Sequence, residues 1–369
     1  MKLILIGDVH GNSVALNSCI VDALEQMIKS DEKDFGFVFL GDYVTDFPMS
    51  QEVVNTMRKL SEKNLFYAIT GNREQGMVRS YYNSNGNVDW DINSTMGDPL
   101  VCMKNLSYDN LKYLATLPDT LDIDLPNAPK LYLCHRMPLS KEQLAHIKEN
   151  NIKYVLVADT HQTNEQILDD NITLINPGSV GLSDEDLGNG TGTYTILTLN
   201  NNKWDSENRT FNYDTELARH KLRKYKELYT SCKNWGVLLE CSMDYGFNAC
   251  LLYVLEAFRL QTEKMNAKKE NRNVNYEPLD NYIEIFSMDN STNCDIYGNA
   301  IKRNYLDNEE DCYVIKSDDE FFDKNGLFSL RSSDVDEEVW NYALRNVTEY
   351  YTNYLKNNEI IVNAKIHFK

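Results

Sequence analysis

Short apolar runs, each closed by glycine or asparagine and followed by helical spacing, mark the first part of the chain. Leu3-Ile4-Leu5-Ile6 ahead of Gly7 predicts a strand buried on both faces, as in a parallel sheet. Phe35 to Leu40 predicts a second strand, ending in Gly41-Asp42, and Leu65 to Thr70 a third, ending in Gly71-Asn72. Between the first two, Leu16, Ile20, Ala23, Leu24 and Met27 recur at helical spacing behind Ser13, a good cap residue. A further helix is predicted over about residues 50 to 63. Residues 76 to 105 are polar, rich in Asn, Gly and Tyr, and read as a long excursion. A helix near Tyr108 to Thr116 ends before Pro118, and strands recur at Lys130 to Cys134, Tyr154 to Ala158, Ile172 to Asn176 and Thr193 to Leu199. The last of these and Trp204 to Tyr213 alternate as an antiparallel pair does.

The character changes at about residue 216. Leu217 to Cys232 and Ala249 to Lys264 have helical periods, and Lys268 to Asn275 reads as a connector. The acidic runs Asp307 to Asp311 and Asp318 to Glu320 read as solvated faces or loops. Ser333 or Asp334 is placed to cap a last helix carrying Val339, Trp340, Ala343 and Val347. No internal repeat and no chemistry-bearing motif occurs in this half. The pattern predicts an α/β core over residues 1–215 and a mainly helical extension over residues 216–369. The extension's apolar helices must pack on the core or against a second copy of the chain.

Composition narrows the partners. The chain has 56 Asp and Glu against 37 Lys and Arg, a net charge of -19, so a polyanion such as duplex nucleic acid is disfavoured. No apolar stretch is long enough to cross a membrane, and the N-terminal run is too short for a signal segment. Eight cysteines with no C-x-x-C pair read as reduced thiols of a cytoplasmic protein.

The chemistry gathers where the predicted strands end. Strand one is followed by Asp8 and His10, which lie two apart on an extended chain and so point the same way. Strand two is followed by Asp42 and, in the same loop, Asp46. Strand three is followed by Asn72, Arg73 and Glu74, and later strands by His135, by Asp159 and His161, and by Asn176-Pro177-Gly178-Ser179. Three of the six histidines fall at these ends. Each residue alone is an ordinary turn or cap residue. Together, along one sheet edge, they predict a metal site. Arg73 and Glu74 read otherwise as a surface ion pair, and Asp46 as a turn residue. Tyr81, Tyr82 and Trp90 are placed either to stack on an aromatic leaving group or simply to pack the excursion. His146, His220 and the basic run His220 to Lys224 read as exposed helix positions.

D-x-H, then G-D, then G-N, then H, then x-x-x-H resembles the calcineurin-like metallophosphoesterase superfamily, in particular its small bacterial phosphodiesterase branch, over residues 1 to about 215. The resemblance implies an αββα fold, a sandwich of two mixed sheets flanked by helices, with residues 193–213 in the second sheet. It implies two divalent metal ions, Mn²⁺ foremost, with Fe, Ni²⁺ or Zn²⁺ as alternatives. Asp8, His10 and His161 would hold one ion, Asn72, His135 and Asp159 the other, and Asp42 would bridge them. The implied activity is hydrolysis of a small phosphodiester, nucleotide or phosphomonoester by a hydroxide held between the ions, with Asn72 and Arg73 as catalytic residues and Arg73 binding the phosphate. Two positions depart from the family. Its G-N-H-D is here Gly71-Asn72-Arg73-Glu74, and arginine cannot give up a proton. Its G-H-x-H is here Ala158-Asp159-Thr160-His161, so a carboxylate stands where an imidazole is usual. These departures leave a second reading open: a non-catalytic scaffold on a degenerate fold, like the retromer scaffold subunit.

Overall fold

The computed structural model describes residues 1–276, 279, 334–350 and 352, apart from 137, 138, 169–171, 186 and 247. Strand β1 (Lys2–Ile6) leads into helix α1 (Ser13–Lys29), β2 (Phe35–Phe39) into α2 (Ser50–Ser61), and β3 (Leu65–Ala68) into α3 (Asn72–Asn83). Two short helices, α4 (Gly97–Lys104) and α5 (Tyr108–Leu114), precede β4 (Thr120–Ile123), β5 (Leu131–Cys134), α6 (Lys141–Glu149) and β6 (Tyr154–Leu156). Then come β7 (Thr163–Leu168), β8 (Ile172–Pro177), β9 (Thr191–Asn200) and β10 (Lys203–Asn212). Four helices follow, α7 (Thr215–Leu222), α8 (Glu227–Thr230), α9 (Trp235–Tyr245) and α10 (Ala249–Lys269), and residues 337–350 form α11.

Among the described residues the strands form two mixed five-stranded sheets, in the orders β10-β9-β1-β2-β3 and β4-β5-β6-β8-β7. In the first sheet β1, β2 and β3 are parallel, β9 runs antiparallel to β1 and β10 antiparallel to β9; in the second, β5, β6 and β8 are parallel and the edges β4 and β7 antiparallel, in keeping with the fold the resemblance implied. Alternation along β1 explains its burial on both faces. Leu3 and Leu5 meet Val38, Leu133 and Ile175 between the sheets, while Ile4 and Ile6 pack with Leu16 and Cys19 of α1 and Val53 of α2. Each such aliphatic side chain contributes about 1.5–3 kcal/mol on burial. A third apolar cluster joins α7, α9, α10 and α11, so these helices of the extension bury apolar side chains within this chain.

Several elements differ from the sequence reading. Strand β9 is buried on both faces and pairs with β1, Leu5 opposite Thr195, so residues 193–213 belong to the first sheet rather than the second. The chain changes sheets beneath the Asp8 loop, where Val180 and Gly181 donate to the carbonyls of Gly7 and Asp8 before β9 begins. The polar excursion contains α3 and α4. In α3 only Glu74 and Met77 are buried, which accounts for its polarity. In α4 Gly97 to Met103 are buried, and Pro99 sits in the first turn, where proline is tolerated. Asn12, not Ser13, caps α1, its side chain accepting from the Ala15 amide, while the Ser13 hydroxyl donates to Glu52. The predicted helix at 217–232 stops at Leu222 and resumes as α8. Helix α11 starts beyond Asp336, whose carbonyl accepts from Val339 and Trp340, rather than at Asp334. The edge strands β4 and β7 and the helix α9 have no counterpart in the sequence reading, and α6 is foreshadowed there only by His146 as a helix position. Ser333, Cys294, Cys312 and both acidic runs lie outside the described residues.

Candidate functional site

Parallel pairing does not stop where β1 and β2 end. The Asp8 amide donates to the Gly41 carbonyl, the His10 amide to Asp42 and the Gly11 amide to Tyr43, so the two loops run on side by side. The bends needed put Asp8, His10 and Asp42 in the left-handed region, at φ 49°, 46° and 52°. Asp159 and His161 share it, at 71° and 57°. Non-glycine residues adopt this conformation at a cost and concentrate at functional sites. Gly71 permits the closest approach: a Cβ there would lie 2.1 Å from Asp42 Oδ1. Glu74, fully buried, does not pair with Arg73. It accepts from the amides of Asp42, Tyr43, Val44 and Gly71 and so ties the Asp42 loop to the start of α3.

Two sheets, not one edge, deliver the site. Asp8, His10, Asp42, Asn72 and Arg73 come from the first sheet's loops, and His135, Asp159 and His161 from the second's. The structure brings all eight together. Each of the three imidazoles has its Nδ1 engaged by an acceptor: Asp46 Oδ2 at 2.7 Å for His10, the Leu182 carbonyl at 2.5 Å for His161 and the Leu40 carbonyl at 2.8 Å for His135. A carbonyl or carboxylate oxygen cannot donate, so Nδ1 carries a hydrogen in all three, and each ring turns its Nε2 inward.

The three Nε2 atoms crowd the carboxylates around them, and those of His10 and His161 crowd each other. The Nε2 atoms of His10 and His161 face each other at 2.9 Å. Asp8 Oδ1, buried and without a hydrogen-bond partner, lies 4.0 Å and 3.9 Å from them. His135 Nε2 faces Asn72 Oδ1 at 3.0 Å, Asp159 Oδ1 at 3.4 Å and Asp42 Oδ1 at 3.5 Å. Asp42 Oδ2 in turn is 3.8 Å from His10. Asp8, His10 and His161 form one metal-capable group and Asp8, Asp42 and His135 another. Carboxylate, amide and imidazole groups converging in this way fit divalent cations, and the residues present suit them.

The electrostatics say the same. Burial pushes the Asp8 carboxyl up to about 8, because neighbouring carboxylates crowd it and nearby histidines only partly offset them. Burial would raise Asp42 too, but His135, His10 and Arg73 overcome it and hold that carboxyl well below the usual range. Burial and the facing His10 lower His161 to about 3, whereas Asp42 and Asp159 outweigh burial at His135 and raise it well above the ordinary histidine value. Crowded carboxylates beside an imidazole that resists protonation are what a bound divalent ion would relieve.

The family model for calcineurin-like phosphoesterases matches residues 1–163. Over these residues the chain is similar to the calcineurin-like phosphoesterases. No curated protein matches the sequence. A hypothetical protein of Pyrococcus horikoshii shares the fold at a TM-score of 0.51 and 15% identity, over 66% of this chain and 98% of its own. A metallophosphoesterase of Sphaerobacter thermophilus aligns at 0.45 and 18%, over 65% and 98%. A zinc complex of Vps29 from Entamoeba histolytica aligns at 0.33 and 16%, over 58% and 100%.

The donor cluster opens into a cavity of about 640 Å³. Arg73 and Arg136 line it. The Arg73 guanidinium stands 3.8 Å from both Asp42 and Asp46, and Arg136 donates to Asp159 at 2.8 Å. One wall comes from the excursion, with Met77, Trp90 and Met96, and another from the extension, with Trp235, Leu251 and Val254. Tyr81 and Tyr82 do not line it; they meet edge to face. Ser179 of the Pro177-Gly178-Ser179 turn donates to the Asp8 carbonyl at 2.7 Å and braces that loop. Sequence reading left Arg136, Asp98 and Asp184 unmentioned, and took Asp46 for a turn residue first. The Gly-Asp-Tyr-Val-Thr-Asp spacing was the available signal for Asp46. No local signal marks Trp235, which meets the site across 189 residues of sequence. Among the described residues no helix is long and apolar enough to cross a membrane.

Proposed function

We propose that the chain is a metal-dependent phosphoesterase that hydrolyses a small phosphodiester, nucleotide or phosphomonoester. The observation that carries this reading is the convergence of three imidazole Nε2 atoms with the Asp8, Asp42 and Asp159 carboxylates, Asp8 Oδ1 buried without a hydrogen-bond partner. Asp8, His10 and His161 would hold one divalent ion and Asn72, His135 and Asp159 a second, with Asp42 between them; Mn²⁺ heads the candidates. When bound, such ions supply a water acidic enough to ionise near neutral pH and positive charge for the phosphate oxygens. Arg73 grips two phosphate oxygens with a charge that never titrates, so it orients the substrate and gives no proton. The leaving group must therefore be stable as an anion or receive its proton from water. The cavity's apolar walls support an organic group on the ester, and its size suits a small molecule. The proposal divides the chain at about residue 215. It places the protein in the cytoplasm, which its six described cysteines, all free thiols, support.

The test is metal content together with hydrolysis of bis-p-nitrophenyl phosphate and p-nitrophenyl phosphate in Mn²⁺, for wild type and Asp42→Asn. Two ions per chain are expected, with turnover falling about a thousandfold in the variant, several kcal/mol of lost charge stabilisation. One observation favours the scaffold reading: Arg136 already occupies Asp159 Oδ1. No bound ion and no turnover with any divalent metal would support that reading and overturn the first.

A further inference from the structure

The extension reaches the metal centre through one hydrogen bond. The indole N–H of Trp235 donates to Asp46 Oδ1 at 3.1 Å. The other oxygen of that carboxylate takes the His10 Nδ1 hydrogen at 2.7 Å and one from the Thr45 hydroxyl at 3.3 Å, and the Asp46 amide donates to Asp98. Asp46 is 1% exposed and Trp235 7%. The turn that delivers the indole is unusual. Lys233 and Asn234, neither of them glycine, both take left-handed conformations, at φ 49° and 58°, so that α9 begins on Trp235 itself. Two consecutive residues of this kind persist only where the surroundings hold them. The ring is then fixed edge-to-face on Tyr253 of α10, which packs against Trp340 of α11.

We propose that Trp235 is a positioning residue of the metal centre: it locks Asp46, Asp46 orients His10, and the helical extension is thereby a working part of the cation site formed by Asp8, His10 and His161. The inference rests on the phosphoesterase reading above. A carboxylate held by an indole on one oxygen and an imidazole on the other cannot rotate. Without the indole N–H, Oδ1 becomes a buried acceptor with no donor, a costly state. The Arg73 guanidinium, a charged donor, stands 3.8 Å from Oδ2. Turning toward it draws the carboxylate away from His10 and frees that ring. Outer hydrogen bonds of this kind change metal affinity about 10- to 100-fold. The His135 side, anchored on the Leu40 carbonyl, does not depend on Asp46.

The experiment is a Mn²⁺ titration without substrate, reading free Mn²⁺ by electron paramagnetic resonance, on wild type, Trp235→Phe, Asp46→Asn and the double variant. Phenylalanine keeps an aromatic ring and removes only the donor. Two binding events are expected in wild type. In Trp235→Phe one should weaken about 10- to 100-fold while the other holds, and the double variant should lose no more than Asp46→Asn alone. Equal affinities in wild type and Trp235→Phe would overturn the positioning role and leave the phosphoesterase reading standing. No Mn²⁺ binding by wild type would overturn both. Should Trp235→Phe fail to fold, the indole N–H resonances of wild type give a second reading, assigned by replacing Trp90, Trp204 and Trp340 in turn. The Trp235 signal is expected to shift on adding Zn²⁺, and its indifference would overturn the proposal.

Discussion

Arg73 shows how one residue type sets chemical limits. Its Nε is buried without a hydrogen-bond partner and its guanidinium faces two carboxylates, so it is held at the cleft as a ready anion clamp. A charge-assisted hydrogen bond contributes about 1.5–3 kcal/mol, so Arg73→Ala is expected to raise KM for a phosphodiester about 10- to 100-fold, read from steady-state kinetics. Arg73→His restores a side chain that can give a proton. It is expected to raise rates on esters with poor leaving groups relative to p-nitrophenyl esters, and an unchanged ratio would show that protonation does not limit the reaction. Gly71→Ala would place a methyl 2.1 Å from Asp42 Oδ1, and a marked loss of bound Mn²⁺ is expected by metal analysis. The residues of the donor cluster were legible because strand ends advertise themselves: an apolar run stops and a carboxylate or imidazole follows. Asp46 was half legible, its place evident and its partner not.

At the scale of elements, the apolar join between α7 and α9 carries an ion cluster as well. Glu240 of α9 accepts from Arg219 of α7, from Arg223 just past its end and from the Tyr229 hydroxyl. Burial would raise its carboxyl, but Arg223, Tyr229 and Arg219 outweigh burial and hold it below its ordinary value of 4.5. A carboxyl lowered on folding stabilises the fold above its unfolded pKa, and that contribution is lost as pH falls through the folded value. Glu240→Gln should therefore melt below wild type at pH 7, by about 2 °C, and the gap should close as pH drops well under 4.5, in thermal melts across that range. The central strands were legible through their apolar runs. β4 and β7 were not, because an edge strand needs little apolar surface and borrows its order from the neighbour it pairs with. α4 was hidden for the opposite reason: buried on nearly every side, it has no polar face to give it a period.

Across the whole molecule, the extension is joined to the sandwich by a shared apolar cluster in which Val14 and Phe47 meet Trp235, Leu239, Tyr253 and Trp340. Trp340 is 2% exposed, and Trp340→Ala is expected to cost about 3–5 kcal/mol in urea denaturation. Because Trp340 backs the Tyr253 ring that holds Trp235, the same variant should also weaken one Mn²⁺ site. The net charge of -19 lies outside this logic: it bears on which partners approach and leaves the fold open. The sequence by itself determined the alternation of strands and helices, the donor residues, and their order, since these depend on local spacing and side-chain chemistry. Only the tertiary structure decided that the donors converge from two sheets, that β9 joins the first of them, and that a tryptophan 189 residues away closes on Asp46. Such pairings are chosen by which backbone edges and buried acceptors remain unsatisfied once the chain is compact, and no local pattern carries that information.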